Sequence, residues 1–250
     1  MTVKVAVAGA TGRLGRLVCE IVEADPAYEL VAKLSSRSDA EEGAEAQILV
    51  DVSHPDASPA IVERALSRGQ RVLVGTSGWS EAKLGPLRER IAGLDAAVIV
   101  VPNFSLGSVL GTVLSQIAAP LYDSIEIIEA HHPAKVDSPS GTAVRTAELM
   151  AAARDGKPVA APFAEQPARG ELVAGIPVHS LRLSGVVAKQ EVRLGGPGEV
   201  LSISHDTHSD EAYRAGIVAA LAALQAASGL TVGLESVLGL DGILANQRGL

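Results

Sequence analysis

Val5-Ala6-Val7-Ala8-Gly9-Ala10-Thr11-Gly12-Arg13-Leu14-Gly15 runs from an apolar stretch into an amphipathic one, with glycines at 9, 12 and 15 between them. Val3–Ala8 reads as a buried strand, and Arg13–Glu23 has the apolar period of a helix that stops before Asp25-Pro26. In such a strand-turn-helix Gly9 permits the tight turn, Gly12 lets the backbone close on a pyrophosphate, and Gly15 lets helix pack on strand. The helix start adds free N–H groups and the positive end of its dipole. The spacing G-x-x-G-x-x-G is a variation on G-x-G-x-x-G, so the turn reads as dinucleotide-binding, the alternative being a turn of purely structural use.

Working outward, Tyr28–Leu34, Ala46–Val52, Arg71–Val74 and Ala96–Val101 are further Val/Ile-rich runs separated by helical stretches. Ser58 is placed to cap one helix with Pro59 at its first position, and Ser80 to cap another. The pattern predicts a parallel sheet of about five strands covered by helices. An NAD site usually carries an acid about 20 residues beyond the glycine turn to hold the ribose hydroxyl. Here that place holds Lys33-Leu34-Ser35-Ser36-Arg37. Two cations and no carboxylate lean the reading toward NADPH or dual use with NADH, unless Lys33 and Arg37 are merely solvated.

Composition removes other classes. Lys+Arg 21 against Asp+Glu 29 leaves −8, which repels nucleic acid and anionic lipid, and only 2% of residues are aromatic, too few for base-stacking platforms. An anionic ligand therefore needs local positive groups. The single Cys19 allows no internal disulfide and no C-x-x-C zinc pair, which fits a reducing compartment, the cytoplasm by default. No cleavable leader and no apolar run of about 18 residues is present, so neither secretion nor a membrane span is expected.

After Asn103 the pattern changes. A helix over Ser105–Leu121, a strand over Ser124–His131 and a helix over Thr142–Arg154 precede a Pro/Gly/Ala-rich loop, residues 155–176. Val178–Val187, Lys189–Leu194 and Val200–His205, separated by Gly-containing turns such as Gly195-Gly196-Pro197-Gly198, suggest an antiparallel or mixed sheet. A closing helix over Asp210–Ala227 is suited to pack back on the first domain. The architecture expected is α/β: a Rossmann-like dinucleotide-binding domain, residues 1–104 with 211–250, and an α+β substrate and oligomerisation domain, residues 105–210.

The residues richest in chemistry are Glu129-Ala130-His131-His132-Pro133-Ala134-Lys135-Val136-Asp137-Ser138-Pro139-Ser140-Gly141-Thr142-Ala143, which hold two of the six histidines and one of the six lysines. Adjacent histidines at a strand end point different ways, which suits two tasks better than one shared metal. One can transfer a proton and the other bind an anion. Lys135 adds a fixed charge, and Ser140-Gly141-Thr142 opens a helix whose N–H groups suit a carboxylate or phosphate. A capped surface loop is the plainer alternative.

That stretch, read as Glu126-Ile127-Ile128-Glu129-Ala130-His131-His132-x-x-Lys135-x-Asp137-x-Pro139-Ser140-Gly141-Thr142-Ala143, resembles the signature of the 4-hydroxy-tetrahydrodipicolinate (formerly dihydrodipicolinate) reductases. The likeness extends over nearly the whole chain: the N-terminal glycine turn, Asp51-Val52-Ser53-His54-Pro55, Gly75-Thr76-Ser77-Gly78, Pro102-Asn103-Phe104-Ser105-x-Gly107 and Gly175-Ile176-Pro177-Val178-His179, in order. The resemblance implies an oxidoreductase of lysine and diaminopimelate biosynthesis that uses NADH or NADPH to reduce a cyclic unsaturated dicarboxylate. It implies His131 as proton donor, Lys135 as catalytic and carboxylate-binding residue, and His132, Ser140, Gly141 and Thr142 as substrate ligands. Cofactor contacts would come from Gly9, Ala10, Thr11, Gly12, Arg13 and Leu14, from Ser35, Ser36 and Arg37, from Gly75, Thr76 and Ser77, and from Val101, Pro102, Asn103 and Phe104. A homotetramer assembled through the sheets of the second domain is implied too. Apart from the resemblance, closure of the two domains is expected to complete the site, since hydride donor and carboxylate receptor fall in different domains, and no metal is expected.

The chain departs from the family in places. Ser35 stands where many members carry an acid, Ser138 replaces a common Ala, and Asp210 stands where members often have Arg. His54, His179, His205 and His208 are scattered, and His205-x-x-His208 alone makes a poor metal site. Trp79 reads as packing under a loop, and Cys19 as a small buried hydrophobe. A short-chain-type reductase would share the glycine turn but needs Tyr-x-x-x-Lys, and the residues four after Tyr28, Tyr122 and Tyr213 are Ala32, Glu126 and Ile217. A non-catalytic dinucleotide sensor would need no His/Lys site.

Overall fold

The structure, a computed structural model, describes residues 2–39 and 41–245, with side chains described through Ile243. In chain order the elements are β1 (Val3–Ala8), α1 (Arg13–Ala24), β2 (Tyr28–Leu34), β3 (Ile48–Asp51), α2 (Ser58–Ser67), β4 (Arg71–Val74), α3 (Glu81–Ile91) and β5 (Ala97–Val100). They continue with α4 (Leu106–Ala118), β6 (Ser124–His131), α5 (Gly141–Ala153), β7 (Glu171–Val173), β8 (Ile176–Arg182), β9 (Ala188–Gly196) and β10 (Glu199–Thr207). The last are α6 (Arg214–Ala226), β11 (Gly229–Val232), α7 (Leu234–Val237) and α8 (Asp241–Ala245).

The chain divides into two compact units, Met1–Ser105 with Asp210–Gly239, and Leu106–Ser209 with the stretch from Leu240. That last assignment differs from the expected return of 211–250 to the first domain. The chain turns at Gly239, whose φ of +70° suits glycine.

The first unit is built on a parallel sheet in the order β11-β5-β4-β3-β1-β2. Its inner strands, such as Ile48–Asp51 and Ala97–Val100, are buried along their whole length, which is why they read as unbroken apolar runs. The order reverses around β1, so the carboxyl ends of β1 and β3 flank a switch point, the place where ligands of such sheets bind. α6 does pack back on this unit: a Cβ on Gly216 would meet the Phe104 carbonyl O at 1.9 Å, and Arg71 donates to the carbonyls of Leu224 and Ala227 at 3.2 and 2.6 Å. The sixth strand, β11, was not expected.

The second unit holds a mixed sheet in the order β10-β9-β6-β8-β7, with β6 parallel to β8 and antiparallel to β9. Ile125, Ile127, Val178, Val192 and Leu194 form one face of it, packed with Ala143, Ala147 and Met150 of α5. The residues 155–176 expected as loop contain β7 and the start of β8, and the strand expected over Val178–Val187 ends at Arg182. The expected helix over Ser105–Leu121 turns into a 3₁₀ turn at Ala119, and the one over Asp210–Ala227 opens with such a turn.

Ser58 is not a helix cap. Its hydroxyl donates to the buried carboxylate of Asp51, which also accepts from the Ser53 N–H at 3.1 Å, while the Trp79 indole N–H donates to Ser58 Oγ at 2.9 Å. Asp51 thus anchors the turn after β3 and, through Ser58, the ring of Trp79.

Candidate active site

Two sets of residues carry chemistry, one in each unit. In the first, Gly9 has φ +83°, and a Cβ there would sit 2.4 Å from the Val52 carbonyl O. Gly15 admits no Cβ at all, since one would lie 2.1 Å from the Gly9 O. Gly12 is different: its φ is ordinary at −70°, and an added Cβ would meet only the Gly9 O at 3.3 Å. Two glycines build the turn and the third keeps its outer side clear for a ligand. No side chain caps α1 at Gly12, so its first N–H groups face that space.

Beside this turn lies a cleft of about 440 Å³, lined by Gly9, Thr11, Gly12, Ser35, Ser36 and Arg37 among others. Its size and its glycine-lined, N–H-rich end fit the adenosine and pyrophosphate of a nicotinamide dinucleotide. Lys33 does not line it. Its ammonium pairs with Glu23 at 2.8 Å, so of the two expected cations only Arg37 faces the cleft. The structure adds two that the sequence reading missed, Arg64 of α2 and Arg68 just past its end, which line the cleft with Ala57 and Ile61. The spacing 57, 61, 64, 68 marks one face of a helix, but which face meets the cleft is a tertiary fact. Arg68 also pairs with Glu41 at 3.2 Å.

The remaining expected cofactor residues lie at the carboxyl end of the same sheet without lining that cleft. Ala10 is buried and Leu14 half-buried, and Arg13 is exposed and paired with Asp210 at 3.7 Å. The Asp210 departure therefore has a partner in its own unit. Thr76 Oγ1 accepts from the Ser53 N–H at 2.8 Å, Gly75 leaves room for the Phe104 ring, whose Cε2 would be 2.5 Å from a Cβ, and Ser77 and Pro102 are exposed. Val101 and Phe104 are buried, and Asn103 Oδ1 accepts from the Ser105 N–H at 2.9 Å.

In the second unit the site grows from the end of β6. Glu129 is wholly buried there. Its carboxylate accepts from His131 Nδ1 at 2.6 Å, from the Arg182 guanidinium at 3.1 Å on each oxygen, and from the Ser140 N–H at 3.3 Å. Beyond the strand, His132 is half-buried, and its carbonyl accepts from the Lys135 N–H at 3.1 Å, closing a turn. The Lys135 ammonium donates to both oxygens of Asp137 at 2.7 and 2.9 Å. Ser140 caps α5, accepting from the Ala143 N–H at 3.2 Å, with Gly141 exposed and Thr142 half-buried behind it. His131, His132, Lys135, Ser140, Gly141 and Thr142 are thus brought into one loop and helix start. Arg182, the clamp on Glu129, was missed by sequence reading. Among the described residues no group of three or more His, Cys, Asp or Glu is placed to hold a metal.

Burial opposes ionisation of Glu129, yet hydrogen bonds from Ser180, His131 and Arg182 hold its carboxyl below the ordinary range. Burial also pushes His131 below its ordinary value, against the opposing pull of Glu129 and with the help of the Lys135 and Arg182 charges. Both shifts act on stability with one sign. A lowered carboxyl contributes stability that is lost as pH falls through its folded value, and a lowered imidazole makes the unfolded chain the better proton acceptor below its ordinary value of 6.5. The second unit is expected to unfold at a lower temperature at about pH 5 than at about pH 7.5. Calorimetry at the two pH values checks this, and an equal or higher acid midpoint would contradict it.

A Rossmann-like unit with a phosphate-ready glycine turn, joined to a unit that gathers a histidine, a lysine and a helix start, has the make-up of a dinucleotide-dependent oxidoreductase. The chain belongs to the dihydrodipicolinate reductase family: residues 3–104 match the family's N-terminal domain and residues 107–238 its C-terminal domain. It is 56% identical over 244 residues to the 4-hydroxy-tetrahydrodipicolinate reductase of Clavibacter michiganensis subsp. michiganensis, covering 97% of this chain and 88% of that one. It is 41% identical over 245 residues to the reductase of the same name from Cutibacterium acnes, covering 96% and 100%. Among solved structures, the dipicolinate-bound dihydrodipicolinate reductase of Paenisporosarcina sp. TG-14 superposes with a TM-score of 0.81 at 27% identity, covering 94% of this chain and 99% of that one.

Proposed function

We propose that this protein reduces dihydrodipicolinate, formed from 4-hydroxy-tetrahydrodipicolinate by loss of water, to tetrahydrodipicolinate in lysine and diaminopimelate biosynthesis, with NADPH or NADH as reductant. Reduced nicotinamide supplies the hydride. The residues of the glycine turn, Ser35–Arg37, Gly75–Ser77 and Val101–Phe104 bind and orient it, and the second unit binds the dicarboxylate and supplies a proton.

The observation that carries the substrate class is Asp137. Its carboxylate already sits on the Lys135 ammonium, at 2.7 and 2.9 Å, so the cation of this loop takes a carboxylate. In the proposed complex Lys135, His132, Ser140, Gly141 and Thr142 hold the substrate's two carboxylates. On a chain of net charge −8, the start of α5 and the Lys135 ammonium, once Asp137 releases it, are the local positive groups that a dianion needs. Hydride addition to the conjugated imine leaves an electron-rich carbon that must gain a proton, and His131 donates it.

The lean toward NADPH rests on Arg37 and Arg64, since Lys33 faces elsewhere. Arg37→Ala is expected to raise KM for NADPH about five-fold, roughly 1 kcal/mol, and to leave KM for NADH unchanged. Equal effects on both cofactors would remove the argument. We place the enzyme in the cytoplasm, supported by its single, buried cysteine. No helix among the described residues is long and apolar enough to cross a membrane. A homotetramer built on the second unit's sheet is supported by exposed Leu181 and Val200, which strand alternation puts on the face away from α5. The reaction itself is tested by substrate-dependent loss of reduced-nicotinamide absorbance, with substrate made in situ from pyruvate and aspartate semialdehyde. Absence of any loss in a folded protein that binds dinucleotide would reject it.

A further inference from the structure

Glu129 is a carboxylate sealed from solvent, two residues before the proton donor and on the same strand. A buried charge of this kind is costly unless every oxygen is served, and here each oxygen has at least two donors. One of them is His131 Nδ1. Arg182 does more than neutralise the carboxylate: a second guanidinium nitrogen donates to the Asp137 carbonyl at 2.6 Å, so one cation ties β8 to Glu129 and to the loop that carries Lys135. The consequence falls on the imidazole. With Nδ1 held against Glu129, Nε2 is the nitrogen that remains for exchange with a ligand.

We propose that Glu129 is a positioning residue for His131: it keeps the Nδ1 proton on the ring, fixes the ring plane and, together with Arg182, sets the charge facing the imidazolium. This rests on the reductase reading for its catalytic consequence. In the step, the enamine pair of the reduced substrate takes the proton from Nε2; the N–H bond breaks, a C–H bond forms, and the ring is left neutral with its remaining proton on Nδ1, still held by Glu129. Solvent restores the Nε2 proton for the next turnover. The charged groups facing His131 are Glu129 on its own strand, Arg182 on β8, and Lys135 with its partner Asp137 in the following loop. On the other neighbouring strand, β9, the nearest charge, Lys189, is paired with Asp206 at 3.1 Å. Among the described residues Glu129 is the one anion hydrogen-bonded to the ring, so it opposes the lowering that burial and the two cations impose.

The test is nitrogen-15 NMR of the histidine side chains in the full-length protein, with His131→Gln to assign the signal, beside pH profiles of kcat/KM. In the unaltered protein the neutral His131 ring is expected as the Nδ1–H tautomer, and a dominant Nε2–H tautomer would overturn the proposal without any Glu129 variant. In Glu129→Gln the His131 pKa and the falling limb of the profile are expected to move together to lower pH by about one unit, with activity above the limb falling about ten-fold. KM for NADPH should stay put, and Glu129→Asp should restore part of the shift. A drop in activity with an unmoved His131 pKa would leave Glu129 a merely structural role and overturn the proposal. Loss of the reductase reading itself would show as no turnover in the unaltered protein, while the His131 tautomer and its shift would still decide the part played by Glu129.

Discussion

His131→Gln is expected to lower kcat by about 10²–10⁴-fold, the range that a positioned general acid contributes, with little change in dinucleotide affinity. Gln retains a polar side chain of similar reach but has no proton to give at neutral pH. Glu129 keeps its contacts to Arg182 and the Ser140 N–H, so the buried carboxylate remains served and the unit should fold. The glycine turn and the cleft beside it belong to the other unit, so fluorescence titration with NADPH should match the unaltered protein. Turnover equal to the parent's would refute the acid role. A dinucleotide sensor, in contrast, would be indifferent to the change.

The second large effect is at Gly15. A Cβ there would lie 2.1 Å from the Gly9 O and 2.8 Å from the Ala10 Cα, both backbone atoms that no rotamer change can move aside. Gly15→Ala must therefore push α1 off β1 or open the turn, at a cost of about 3 kcal/mol or more. Because Gly9, Gly12 and the start of α1 form the proposed phosphate seat, affinity for NADPH and NADH should fall along with the stability of the first unit. Gly12→Ala is the control, since its Cβ would meet only the Gly9 O at 3.3 Å: it should fold, yet bind dinucleotide less well because the methyl occupies the ligand's side of the turn. Denaturant unfolding and cofactor titration of both variants check this. A Gly15→Ala protein with parental stability and affinity would contradict the packing described.

Much of this was legible in the sequence because the elements concerned follow local rules. β1, β2, β4 and β6 fall where the apolar runs placed them, and α1 starts where the glycine turn ends. What was not legible depends on pairing at a distance. β11 has only four residues, none fully buried, and is a strand because it pairs with β5 across more than half of the chain. Ser58 has the residue type of a cap, but the buried Asp51 competes for its hydroxyl. Lys33 lies at the right sequence distance from the turn, yet pairs with Glu23 of α1. Arg182 meets Glu129 only through the register of parallel strands whose partners stand about fifty positions apart in the chain, and nothing local in either strand announces it.

In the proposed reaction hydride passes from reduced nicotinamide to the cyclic dicarboxylate while the protein adds a proton from solvent. NADPH carrying deuterium at its transferable position, turned over in ordinary water with substrate generated in situ, tests it most directly. The expected product is a tetrahydrodipicolinate with one carbon-bound deuterium from the cofactor and, at the neighbouring carbon, hydrogen from water. A product without deuterium, or no product from a folded protein that binds both ligands, would contradict it.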